Sequence, residues 1–231
     1  MNNNRCSVAI DGPAGAGKST IAKAAAARFG FIYVDTGAIY RTVGLAVCRA
    51  GLDPSDEDAV RSVLPSLDIQ FDYGEDGVQR MFLGDEDVSR EIRTPEISMY
   101  ASAVSAIPAV RAFLMDMQRD MARKTSVVMD GRDIGTVILP DAGLKIFLTA
   151  SPEARARRRL AELQAKGDPA TFEEVLADMI RRDKNDSTRA AAPLKAAEDA
   201  VLVDTTDLDL DESIRRVCDL IAERFSMEDR A

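Results

Sequence analysis

The chain has 231 residues, 46% of them apolar, enough to bury the core of one large domain or of a core with inserted subdomains. Its 39 acidic residues outnumber its 30 basic ones, the formal charge is -9 and there is no Trp, which argues against a general nucleic-acid binder working through a basic face and stacking aromatics. Histidine is absent altogether, which removes Ser-His-Asp and Cys-His nucleophile pairs, zinc-hydrolase motifs and imidazole bases; any chemistry must run on Lys, Arg, Asp, hydroxyls or a hard metal ion.

The opening Met-Asn-Asn-Asn-Arg lacks a charged-then-apolar signal pattern and no run of about 18 apolar residues follows, so a cytoplasmic chain without a membrane partner is expected. Ser7-Val8-Ala9-Ile10 reads as a buried strand that leads through Asp11 into a glycine loop, and residues 21–29 read as an Ala-rich helix stopped by Gly30. Phe31-Ile32-Tyr33-Val34 is a second strand, and residues 38–50 a helix closed by Gly51. Leu67, Ile69 and Phe71 alternate, residues 72–77 make a turn and 78–83 a return strand, so residues 66–90 suggest a small antiparallel insertion. Ser126-Val127-Val128-Met129, Leu144-Lys145-Ile146-Phe147-Leu148 and Val201-Leu202-Val203 complete five strands; helices separate most of them, which implies a parallel sheet covered on both faces. Residues 152–167 form a charged helical stretch, and the polar tail from Ser226 is expected to fray. Cys6, Cys48 and Cys218 have no metal-ligand spacing and read as small core residues.

Residues 12–19, Gly-Pro-Ala-Gly-Ala-Gly-Lys-Ser, match G-x-x-x-x-G-K-[ST] between a strand and a helix, the context in which that pattern cradles phosphate. The glycines Gly12, Gly15 and Gly17 let backbone N–H groups converge on phosphate oxygens, Lys18 reaches the β and γ phosphates, and the Ser19 hydroxyl serves magnesium. The ATP-binding stretch is therefore expected to be Gly12, Pro13, Ala14, Gly15, Ala16, Gly17, Lys18, Ser19 and Thr20. No Asp is followed three residues later by Gly and no Asn-Lys-x-Asp occurs, so the switch and guanine-reading sequences of a GTPase are missing.

A phosphate acceptor crowds negative charge into one cleft and calls for fixed cations. Arg41, Arg132 and Arg189 lie just beyond turn or strand signals, and Arg132 stands between Asp130-Gly131 and Asp133. Arg155, Arg158 and Arg159 share one helix face, a like-charge arrangement that needs an anion nearby. Glu153 and Glu162 supply one on a solvated face; the alternative is a mobile lid that closes its arginines onto the triphosphate, with Arg181 and Arg182 joining from the next helical stretch.

Six segments in order identify a resemblance: Ile10-Asp11-Gly12-Pro13 with Gly15-Ala16-Gly17-Lys18, Asp35-Thr36-Gly37-Ala38-Ile39-Tyr40-Arg41, Glu91-Ile92-Arg93-Thr94, Asp130-Gly131-Arg132-Asp133-Ile134-Gly135-Thr136-Val137, Lys145-Ile146-Phe147-Leu148, and Arg182-Asp183 through Arg189. The chain resembles the bacterial cytidylate kinases, a branch of the nucleoside monophosphate kinases, over nearly its whole length. The fold implied is a P-loop NTPase α/β core with a five-stranded parallel sheet and helices on both faces, a small antiparallel insertion and a short lid. The core would comprise about 1–35, 126–151 and 169–225, the monophosphate-binding region about 36–125 with its insertion at 66–90, and the lid about 152–168.

The activity implied is transfer from ATP, with Mg2+, to CMP or dCMP by a monomer. Carried onto matching positions, Arg41, Arg132 and Arg189 would hold the acceptor phosphate, Ser102, Arg111 and Asp133 would read cytosine, and Asp186 with Arg182 would hold the sugar. Tyr40 and Thr36 would line the same pocket, Thr36 standing where many relatives have Ser. Lys18, Arg132, Arg158 and Arg182 would carry catalysis, Ser19 would ligate magnesium, and Asp130 would either orient a magnesium-bound water or serve as a strand-end structural carboxylate. A carboxylate and a guanidinium complement cytosine's amino group and its N3 and O2 acceptors, whereas uracil inverts the pattern.

Overall fold

A computed structural model describes residues 5–74, 77–165 and 167–227. The N-terminal tetrapeptide, positions 75 and 76 of the expected turn, position 166 of the expected lid and the tail beyond Met227 lie outside the described residues.

In chain order the strands are β1 (Ser7–Asp11), β2 (Ile32–Asp35), β3 (Ile69–Tyr73), β4 (Gln79–Leu83), β5 (Glu86–Asp87), β6 (Val127–Gly131), β7 (Leu144–Thr149) and β8 (Val201–Asp204). The helices are α1 (Lys18–Phe29), α2 (Thr36–Arg49), α3 (Glu57–Val63), α4 (Pro95–Val104), α5 (Pro108–Lys124), α6 (Pro152–Gln164), α7 (Phe172–Thr188) and α8 (Leu210–Phe225). The large sheet has five strands in the order β2-β6-β1-β7-β8, and β3-β4-β5 form a separate three-stranded sheet. The alternation of βαβ units drives this layout, because parallel neighbours require a crossover and a helix is the cheapest one.

By compactness the described chain divides into two units, Met1–Phe31 with Ser126–Ala231, and Ile32–Thr125. In the first unit, β1 pairs in parallel with β6 and β7, and β7 with β8. Val8, Ala9, Ile10, Val127, Val128 and Met129 are fully buried, as expected of central strands that read as continuous apolar runs. Helix α1 buries Ile21, Ala22, Ala25, Ala26 and Phe29 at helical spacing. It begins at Lys18, three residues before the sequence pattern suggests, because the glycine loop runs directly into its first turn. A wide turn of π-helix, Ile134–Ile138, follows β6 and has no local pattern that announces it.

In the second unit β3 and β4 form the expected antiparallel pair, with Ile69 opposite Leu83 and Tyr73 opposite Gln79; the two-residue β5 is an addition the pattern does not reveal. Helix α2 starts at Thr36, two residues earlier than expected, because Asp35 caps it by accepting the Ala38 N–H at 2.9 Å. The insertion is tied to β2: the Asp35 N–H donates to the buried Gln79 Oε1 at 2.8 Å and the Tyr73 hydroxyl donates to the Tyr33 carbonyl at 3.0 Å.

Candidate active site

The glycine loop begins where β1 ends. Gly12 has φ 151°, and a Cβ there would lie 1.9 Å from the Leu148 carbonyl oxygen, so no other residue fits between β1 and β7 at this point. Beyond it, Lys18 is buried and its ammonium donates to the Pro13 carbonyl at 2.7 Å. Burial pushes its pKa well below the usual lysine value; Arg132 and Arg182 push the same way, while Asp130 and Asp11 oppose them. Three cations converge on one place, which is the arrangement a polyanionic ligand stabilises. The open N-terminus of α1 adds its unsatisfied N–H groups and the positive end of its dipole.

Ser19 is exposed and its hydroxyl donates to Asp130 Oδ2 at 2.9 Å. One hydroxyl and one carboxylate are hard oxygen donors, and among the described residues no group of three or more His, Cys, Asp or Glu could hold a metal ion. That donor set fits magnesium, which keeps much of its water shell and takes its remaining ligands from nucleotide phosphates.

The residues implied for the acceptor divide between the units. In the first, Arg132 leaves the end of β6 and its Nε donates to Asp186 Oδ2 at 2.8 Å, while Arg189 Nη2 lies 3.4 Å from Asp133 Oδ1, with both of the latter side chains buried. Each of these arginines is thus held in place by a carboxylate that the resemblance assigns to sugar or base. Arg182 sits one turn before Asp186 on α7, half-buried.

In the second unit, Thr36 is buried at the first residue of α2, and Tyr40 and Arg41 follow one turn later. The Arg111 guanidinium lies over the Tyr40 ring, 5.6 Å from its centroid, and Nη1 donates to the Ser105 carbonyl at 3.1 Å. Ser102 lies on α4, half-buried. Asp35 faces Arg41 at 3.9 Å and Arg93 at 2.8 Å, so one buried carboxylate orients two arginines.

The arginines of α6 do not share the solvated face that helical spacing suggests. Arg155 is only 2% exposed: its Nε donates to the Ala150 carbonyl, its Nη1 to the Ala14 carbonyl of the glycine loop at 2.9 Å, and both terminal nitrogens to Asp183 at 3.1 and 2.6 Å. Arg158 donates to the Thr205 hydroxyl at 3.1 Å and to the Thr205 and Leu208 carbonyls. Of the anticipated glutamates, Glu162 pairs with Arg159 at 2.9 Å. Arg181 pairs with Asp178 within its own helix, exposed. A face defined only by helical spacing divides in three dimensions among a buried anchor, a backbone-bound residue and a surface pair.

Residues 8–224 match the family model described as cytidylate kinase. The chain belongs to the cytidylate kinase family. It is 50% identical over 216 residues to the cytidylate kinase of Caldicellulosiruptor bescii, covering 94% of this chain and 95% of that protein. It is 52% identical to that of Caldanaerobacter subterraneus subsp. tengcongensis, covering 99% of this chain and 100% of the relative. Among solved structures, a shikimate kinase from Bacteroides thetaiotaomicron aligns over 96% of this chain and 99% of its own, with a TM-score of 0.48 and 17% identity.

Three carboxylates that lie in the quoted segments, Asp11, Asp35 and Asp183, received no role from the sequence, and the structure gives each its partners. Asp11 and Asp35 had a signal, since each is a charged residue at the end of an apolar strand and such a group must find partners. Asp183 had none: its partner Arg155 is 28 positions away on another helix.

Proposed function

We propose that this chain is a cytidylate kinase that transfers the γ-phosphoryl group of ATP, with Mg2+, to CMP or dCMP in the cytoplasm, giving ADP and CDP or dCDP. The observation that carries the reading is the buried Lys18 of the glycine loop lying in the field of Arg132 and Arg182, in a chain that matches the cytidylate kinase family over residues 8–224.

The reaction needs no protein base, which accounts for a chain without histidine. A nucleotide phosphate is largely ionised at neutral pH, so its oxygen attacks the γ-phosphorus directly while the bond to the β–γ bridging oxygen breaks and ADP leaves. The protein's part is positioning and neutralisation. Residues 12–20 hold the triphosphate through backbone amides, and Lys18 follows the transferring group. Arg41, Arg132 and Arg189 grip the acceptor phosphate, Arg182 with Asp186 takes the sugar, and Arg158 and Arg182 offset charge on the transferred group. Ser19 would hold magnesium and Asp130 would orient one of its waters; the ion would supply Lewis-acid neutralisation of the phosphate oxygens.

Asp133 and Arg111 with Ser102 read the base, with Thr36 and Tyr40 lining the pocket. Uracil would set its O4 against the carboxylate and its N3–H against a donor, leaving buried groups unpaired. A coupled ADP-release assay with CMP, dCMP, UMP and AMP is expected to give kcat/KM for the cytidine substrates about 100-fold above the others. Equal turnover of UMP or AMP would sink the assignment.

A further inference from the structure

The turn that carries Arg132 and Asp133 is fastened from outside itself. Asp133 occupies the N-cap position of the π-helical turn with φ -147° and ψ 27°, and its side chain makes no cap hydrogen bond. Its carbonyl accepts from the Val137 and Ile138 N–H groups at 2.9 and 3.2 Å, which leaves the first amides of the turn to find partners elsewhere. They find them on β1: Asp11 Oδ1 accepts the Ile134 N–H and Oδ2 the Gly135 N–H, both at 2.7 Å. Asp11 is 4% exposed, and its neighbour on β6 is Gly131, one residue before Arg132.

The same residue precedes the glycine loop. Gly12, the next in the chain, lies where a Cβ would meet the Leu148 carbonyl at 1.9 Å, so the backbone passes close to β7 at this point. A single carboxylate therefore spans the start of the loop that cradles the donor phosphates and the first two amides of the turn that presents Arg132 and Asp133. Two charge-assisted bonds at 2.7 Å leave that turn little room to shift.

We infer that Asp11 is a positioning residue that fixes the Arg132–Asp133 turn against the glycine loop, and so sets where the acceptor nucleotide sits relative to the donor triphosphate. This rests on the kinase reading above. Asp11 stands in the Ile10–Pro13 segment without a role assigned there, and its hydrogen bonds to the acceptor turn go to backbone amides. An Asn in its place offers one acceptor and turns an N–H2 group toward the second amide, so the turn loses one bond and gains a repulsion.

The test is a two-substrate kinetic comparison of wild type and D11N at pH 8, with Kd for CMP and for a non-hydrolysable ATP analogue measured by calorimetry. D11N is expected to raise KM and Kd for CMP about tenfold while those for the ATP ligands stay within about twofold, since a misplacement of the order of an ångström at a positioned group costs one to two decades. D11E keeps the charge but carries it one methylene further out, and is expected to show the same split; it serves in place of D11N should the latter not fold. Unchanged CMP parameters, or equal losses for CMP and ATP ligands, would overturn the inference, the second because it would make Asp11 a prop of the glycine loop only. A wild type without CMP turnover would sink the kinase reading instead, so the two failures are separable.

Discussion

At the scale of single residues, the site depends on a few buried charges held against their solvation preference. Burial pushes the Asp11 carboxyl up to about 6, with Asp133 adding to the rise and the Gly135 and Ile134 amides and Lys18 opposing it. A carboxyl whose folded pKa lies above its unfolded value binds its proton more tightly in the native state. Its stabilising contribution is therefore full below the unfolded value of 3.8 and is lost as pH rises through about 6. Asn at this position has no proton to lose. Urea denaturation of wild type and D11N should show the difference in stability moving in favour of Asn between pH 4 and pH 7, by on the order of 2–3 kcal/mol. A difference independent of pH would mean that Asp11 titrates as it does in the unfolded chain. Retaining the aspartate against this cost is consistent with a role in placing the Ile134–Ile138 turn rather than in stability.

At the scale of elements, α6 and α7 form a hairpin with a small core of its own, built from Ala156, Val175 and Met179 with Leu160, Leu163 and Leu176 around them. Two contacts fix this hairpin to the glycine loop. Gly15 has φ 73° and lies so close beneath α7 that a Cβ there would meet the Met179 methyl at 2.7 Å. Arg155 then bridges the Ala14 carbonyl and Asp183, a fork geometry that Lys does not reproduce. Arg155→Ala strands the partly buried Asp183 and is expected to cost about 3 kcal/mol in chemical denaturation. Arg155→Lys should keep more of that stability yet raise KM for ATP several-fold, because the ammonium cannot hold the loop carbonyl and both carboxylate oxygens together. An ATP KM unchanged in both variants would show that the anchor does not shape the loop. In the second unit the analogous tie is Gln79, whose buried amide fixes the backbone of Asp35 and with it the start of the helix that carries Tyr40 and Arg41. The insertion thus supports that helix start.

At the scale of the molecule, a chain of formal charge -9 would, on the proposed reading, bind its anionic substrates by setting Arg132 and Arg182 in the field of Lys18. Burial first, and Arg132 and Arg182 after it, disfavour the charged Lys18 without a ligand, so binding of a polyanionic substrate should stabilise the fold. With magnesium ATP at about 100 times its Kd, linkage gives about 2.7 kcal/mol. For a chain of this length that is a rise in Tm of roughly 5–10 °C, readable by calorimetry. The Lys18→Ala variant should show a much smaller rise; an equal rise would place the triphosphate elsewhere. Among the described residues no single helix is long and apolar enough to cross a membrane.

Much of this protein was legible in the linear chain, for a physical reason. The glycine loop, the buried strands and the Ala-rich helix are local objects whose identity rests on spacing, apolar runs and backbone permissiveness within a dozen residues. The antiparallel pair at Ile69–Tyr73 and Gln79–Leu83 was readable on the same grounds. What only the tertiary structure decided is pairing between charges distant in sequence: Arg155 with Asp183, Arg132 with Asp186, Arg189 with Asp133, and Asp11 with the amides of Ile134 and Gly135. Helical spacing placed Arg155, Arg158 and Arg159 on one face, but only Arg159 kept a local partner, Glu162, while Arg155 and Arg158 took those that the fold brought within reach. A buried charge is satisfied by whatever donor or acceptor stands beside it in space, and that neighbour has no signature in the residues on either side.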